Sequence, residues 1–147
     1  MPGSFKETPE NILVVDDDEV VRKTVVLLLE GAHFRVLAAD SGANAIKMSE
    51  AMDAPIHLLL SEVDLPQMSG PDLGNMLKKQ RPDIRVMLMS SQDNGNLLVL
   101  NYGWAYIQKE AVATKLVQMV TDVLHAPDRS QLGDEFDSAK DPCPKVE

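Results

Sequence analysis

The chain has a single cysteine, Cys143, which lies among prolines near its end, so no internal disulfide can staple the fold. No apolar run approaches the roughly 20 residues of a membrane-spanning helix or forms a signal peptide. The expected compartment is therefore the cytoplasm, with no membrane partner. Bases are also scarce: 14 Lys and Arg stand against 23 Asp and Glu, for a net charge of −9. Such a surface repels phosphate backbones, which argues against direct binding of nucleic acid and makes a cation the expected ligand. The three histidines, His33, His57 and His125, have no partner at metal-ligand spacing, and the eight methionines are spread over core positions. With no Gly-rich phosphate cradle and no nucleophile beside a histidine, a small phosphate-handling enzyme is the weakest functional class.

What is present suits one globular domain: 147 residues, 44% apolar and 25% charged. The organising stretch is Leu58-Leu59-Leu60-Ser61-Glu62-Val63-Asp64-Leu65-Pro66-Gln67-Met68-Ser69-Gly70. An apolar run too short for a helix ends in two carboxylates before a Pro and a Gly turn the chain, as a buried parallel strand does when it delivers acids to a loop. A second run, Ile12 to Val15, ends in Asp16-Asp17-Asp18-Glu19. Asp18 and Glu19 read as helix N-terminal charges rather than metal ligands.

Met1 to Glu10 is a polar leader, 11–125 the domain, and 126–147 a tail. In the tail, three prolines, six acids and three bases leave too little apolar surface to fold. Within the domain, strands are expected at Ile12 to Val15, Phe34 to Ala38, Ile56 to Ser61, Ile84 to Met89 and Trp104 to Ile107. The first helix has Val21, Thr24, Val25, Leu28 and Leu29 on one face and Gly31 as its stop. The second has Ser41 as cap, Ala45, Ile46, Ser49 and Met52 inward, and is ended by Pro55. The third starts at Ser69-Gly70-Pro71-Asp72, with Leu73, Met76 and Leu77 toward the sheet, and closes at Arg81-Pro82. Asn94 to Tyr102 is weakly helical, and Ala111 to Leu124 is amphipathic with Leu116, Val117, Val120 and Val123 buried. Alternating units of this kind specify an α/β domain, a doubly wound five-stranded parallel sheet of order 2-1-3-4-5 with helices on both faces.

That order makes strands 1, 3, 4 and 5 neighbours, so Asp16 and Asp17, Glu62 with Asp64, Ser90, and Lys109 converge at their carboxyl ends. Clustered carboxylates repel unless a hard divalent cation joins them, and a hydroxyl with an ammonium suits phosphoryl oxygens. The segments ILVVDDDE, LLLSEVDLPQMSG, VMLMSS and YIQKE resemble the successive signatures of the receiver domain of bacterial response regulators, over roughly Asn11 to Leu124. The resemblance implies a flavodoxin-like receiver fold in which Asp16 and Asp17, after the first strand, help hold Mg²⁺ together with Glu62 and Asp64 from the loop after the third, binding weakly because Glu is longer than the family's Asp. It implies that Ser90 and Lys109 contact a phosphoryl group and that Tyr106 changes rotamer with the hydroxyl. The implied partners are a histidine kinase or phosphotransfer protein, and a downstream protein met through the fourth helical stretch, the fifth strand and the last helix.

The sequence departs from that pattern at the acceptor. Four residues before Pro66 stands Glu62, where receivers carry Asp. Asp64 is no simple substitute, because at its position the family uses a backbone carbonyl as metal ligand. Glu110 follows Lys109 in place of the usual Pro, so the peptide bond is expected to be trans. The 19 positions from Ser90 to Lys109 are also fewer than usual. The sequence is thus read as a pseudo-receiver that acts through protein contacts, with Glu62 paired to Lys109 and biasing the domain toward the phosphorylated-like conformation. Phosphorylation at Glu62 or Asp64 is the alternative.

Overall fold

A computed structural model of the chain describes residues 9–91 and 104–125. Most of the leader, the weakly helical stretch at 94–102 and the tail 126–147 lie outside them. Five strands, β1 (Asn11–Val15), β2 (Arg35–Ala39), β3 (Leu58–Glu62), β4 (Arg85–Ser90) and β5 (Ala105–Gln108), form one parallel sheet of order β2-β1-β3-β4-β5. This is the expected topology, with each strand shifted by a residue or two. The described helices are α1 (Glu19–Gly31), α2 (Gly42–Ala51), α3 (Gly70–Gln80) and α4 (Val112–His125), the last entered through a 3₁₀ turn at Lys109–Ala111.

The inner strands are mostly apolar because both faces are covered. Ile12, Val14, Leu58, Leu60, Met87, Met89 and Ile107 meet α1 and α4, whose Val25, Leu29, Leu116 and Val120 complete that layer. Leu13, Val15, Leu59, Val86 and Leu88 point the other way, toward Ala45, Leu73 and Leu77 of α2 and α3. Alternation of period two therefore divides one set of apolar strands between two cores. Each fully buried Leu, Ile or Val contributes about 1.5–3 kcal/mol.

Several helix assignments need correction. Thr24 is exposed, and its hydroxyl donates to the Val20 carbonyl at 2.8 Å instead of facing the sheet. Met76 is also exposed; the buried stripe of α3 runs through Gly70, Leu73, Gly74 and Leu77, and Met76 falls off it by helical rotation. In place of a large side chain, Gly74 admits the Trp104 ring, which a Cβ would meet at 2.9 Å. α1 ends at Gly31 as expected, but Gly31 is not the left-handed residue of its cap. The left-handed residue is His33, at φ 74°, where Phe34 N–H donates to Leu29 at 3.1 Å and His33 N–H to Glu30 at 3.0 Å. Those two bonds make a Schellman cap, and Phe34 packs on the same core layer as Leu29. Ser41 caps α2 as expected, whereas α2 ends at Ala51, well before Pro55.

Candidate functional site

The carboxyl ends of β1, β3, β4 and β5 bring the acidic loops together. β1 carries Asp16 into the interior, fully buried, before Asp18 turns outward to cap α1 by accepting from the N–H groups of Val20 and Val21. The role expected of Asp18 is thus the observed one. β3 delivers Glu62, also buried, and the loop behind it is pinned by Gly70, whose N–H donates to the Val63 carbonyl at 2.8 Å. A Cβ on Gly70 would run into the Glu62 carbonyl oxygen, so the chain passes there only without a side chain.

The two acids share one cation. Lys109, at the end of β5, places its Nζ against Glu62 Oε1 and 3.2 Å from Asp16 Oδ2. The remaining oxygens are held by backbone: Asp18 N–H donates to Asp16 Oδ1 at 2.9 Å, and Asp64 N–H donates to Glu62 Oε2 at 2.9 Å. Asp16 Oδ2 is buried, and its partner is the Lys109 ammonium at 3.2 Å. Burial pushes the Asp16 carboxyl above its ordinary value, against the opposing pull of the Asp18 amide and Lys109. For Lys109 burial acts to lower the pKa, yet the hydrogen bond to Glu62 and the charge of Asp16 outweigh it and raise it above 10.5.

Of the other residues singled out in the sequence, Ser90 is buried at the end of β4, on the strand next to Glu62. Tyr106 is half-buried on β5 and packs on the α2 and α3 side of the sheet. Asp17 and Asp64 are exposed and lie outside the buried triad. The Lys109–Glu110 bond is trans. One contributor was not visible in the sequence: the Arg22 guanidinium donates to the Asp16 carbonyl at 2.8 Å, tying α1 to the acidic loop. Its only signal was a base in the first turns of a helix that follows an acidic run.

The response regulator receiver domain model matches residues 12–121, most of the chain and all of this site. The chain belongs to the receiver domain family. Receivers are modules of two-component signalling, and they work with histidine kinases or phosphotransfer proteins. Among relatives, this receiver is 31% identical over 81 residues to the response regulator receiver protein CpdR of Brucella abortus, covering 55% of this chain and 66% of that one. It is 33% identical over 79 residues to the sensor kinase CckA of the same species, 54% of this chain but 8% of the kinase. The match thus spans less than two thirds of the length of these relatives. A receiver domain protein from Clostridium thermocellum superimposes with a TM-score of 0.71 at 25% identity, over 84% of this chain and 98% of that one.

Receivers bind Mg²⁺ in their phosphorylation site, and the residues here, as placed, do not fit that ion. Among the described residues no three His, Cys, Asp or Glu side chains are grouped to hold a metal. Mg²⁺ asks for near-octahedral oxygen ligands at about 2.0–2.1 Å. In this receiver the two buried carboxylates already face an ammonium between them, and the other two acids point outward. No helix among the described residues is long and apolar enough to cross a membrane.

Proposed function

We propose that this chain is a pseudo-receiver: a response-regulator module that signals through protein contacts without passing a phosphoryl group through Glu62. The observation that carries the reading is the Glu62–Lys109 pair. In a receiver the lysine is the group expected to meet the phosphoryl oxygens, and here a permanent carboxylate of the protein already engages it. Glu62 carries its carboxylate one methylene further than an Asp would. An attacking oxygen displaced by that distance is also badly placed, and misplacement of about 1 Å costs roughly a hundredfold in rate.

In this reading the carboxylate takes the electrostatic part of a phosphoryl group and biases the domain toward the conformation that phosphorylation would select. The partners are then a histidine kinase or phosphotransfer protein that docks without transfer, and a downstream protein that reads the face around β5 and α4. The cytoplasm is the proposed compartment. Intact-mass measurement after incubation with acetyl phosphate and Mg²⁺ tests it. Wild type should stay unmodified while Glu62→Asp gains the mass of one phosphoryl group. A phosphorylated wild type, mapped to Glu62 or Asp64, would favour the alternative of a working receiver.

A further inference from the structure

We infer that the cleft between α1 and α2, beyond the end of β2, is a second ligand site, built for a small phosphomonoester that carries hydroxyl groups beside its phosphoryl group. The inference goes beyond the pseudo-receiver reading and does not depend on it. In the strand order β2-β1-β3-β4-β5 the cleft lies across β1 from the strands that carry Glu62, Ser90 and Lys109. It is therefore separate from the acidic pocket and meets it only through Arg22, whose guanidinium holds the Asp16 carbonyl.

The cleft has a volume of about 350 Å³. At about 30 Å³ per water it has room for roughly a dozen, which is too large for a bare inorganic ion and falls in the range of small-molecule sites, about 300–1,000 Å³. Its walls combine charge and hydrocarbon: Arg22 from α1, Ala39 and Asp40 from the end of β2, and Asn44, Lys47 and Met48 from α2. In a chain of net charge −9, two bases here face one hollow, and among the described residues neither makes an ion pair. Arg22 is half-buried and anchored, because Nη1 donates to the Asp16 carbonyl at 2.8 Å, while the rest of its fork has no partner among the described residues. A planar fork with an ammonium nearby suits a phosphoryl group, which at neutral pH carries about −1.5 to −2 charges and three acceptor oxygens.

Asp40 decides what else the ligand must carry. Its Oδ1 accepts from the Asn44 side-chain amide at 2.7 Å, which leaves Oδ2 as an open acceptor on the cleft wall. A bare anion is repelled by that carboxylate, whereas an ester with a hydroxyl near its phosphoryl group can donate to it. Met48 and Ala39 supply apolar surface for the carbon skeleton between the two polar ends.

The test follows NMR signals of the full chain, without metal ions, while ribose 5-phosphate, adenosine 5′-monophosphate, inorganic phosphate or ribose is added. At least one ester should shift the signals of Arg22, Ala39, Asp40 and Asn44 to saturation at low-millimolar concentration or below, about tenfold or more tighter than inorganic phosphate, and ribose should shift none. The Asp17 amide should move with them, since it follows the carbonyl that Arg22 holds. Binding of both esters identifies the sugar phosphate as the recognised unit, and binding of the nucleotide alone adds the base to it. Lys47→Gln, a change at an exposed position, should weaken the esters about threefold or more. Asp40→Asn should tighten inorganic phosphate and bring it within about threefold of the esters. The inference is overturned if neither ester shifts these signals by tens of millimolar, or if inorganic phosphate binds wild type as tightly as the esters, leaving only a charged surface. Unchanged affinities in both variants would overturn it as well.

Discussion

Glu62 spans from the Asp64 amide to the Lys109 ammonium, so one buried carboxylate of the pocket is paired from within the chain. Breaking a fully buried ion pair costs about 3–5 kcal/mol, mainly because the partner is left uncompensated. Lys109 keeps 21% of its side chain exposed and retains Asp16, so Glu62→Gln should cost less, about 2 kcal/mol, as read by urea denaturation. A value near zero would mean that the pair is not sheltered. The pH dependence has a definite sign. The Lys109 pKa is raised in the folded state, so its stabilisation is complete below the ordinary lysine value and is lost as pH rises through the raised one. Melting temperatures should therefore fall more steeply above about pH 10.4 in wild type than in Lys109→Met. Asp16 acts with the same sign at the acidic end: its carboxyl pKa is raised by burial, so the folded state takes up that proton more readily and acidification through the carboxyl range favours the fold at this residue.

At the scale of elements, a clamp that sequence reasoning missed joins α2 to the end of α3. Arg81 donates from Nε to Ser49 Oγ at 2.9 Å, from Nη1 to the Ala54 carbonyl at 3.0 Å, and from Nη2 to the carbonyls of Ser49 and Met52 at 2.9 and 2.6 Å. One guanidinium thus serves the open carbonyls at the end of α2. Arg81→Ala should cost about 2–3 kcal/mol in chemical denaturation, the worth of charge-assisted bonds to partly buried acceptors. If the loss is negligible, water caps that helix equally well. His33 makes the converse case. It is exposed and sits at φ 74°, so His33→Gly relieves a left-handed residue without losing a buried contact and should stabilise by up to about 1 kcal/mol. A lower melting temperature would show that the Schellman cap needs the histidine.

Across the whole molecule, the sheet was legible because its signal is local and repeated. Short apolar runs such as Leu58 to Leu60, closed by acids or hydroxyls and separated by amphipathic stretches, permit few other topologies. The gathering of Asp16, Glu62, Ser90 and Lys109 at one end followed from strand order alone. Long-range side-chain geometry was less legible. Arg81 reaches residues about thirty positions back in the chain, Arg22 meets a carbonyl across a loop, and Met76 and Thr24 point outward because a helical stripe is narrower than its list of apolar candidates. The metal expectation for Asp16, Asp17, Glu62 and Asp64 belongs with these. Residue types indicated a concentration of negative charge, but which cation stands in it depends on how far Lys109 extends.

The central claim is that the Glu62–Lys109 pair holds this receiver in one state that phosphoryl chemistry does not change. Backbone NMR spectra decide it most directly, recorded for wild type, Glu62→Gln and Glu62→Asp, each with and without Mg²⁺ and beryllofluoride. Resonances of Ser90, Tyr106 and Lys109 in wild type should be indifferent to beryllofluoride, should move on Glu62→Gln, and should become responsive to beryllofluoride in Glu62→Asp. If wild type responds to beryllofluoride as Glu62→Asp does, or if Glu62→Gln leaves those resonances in place, the pair locks nothing and the account is wrong.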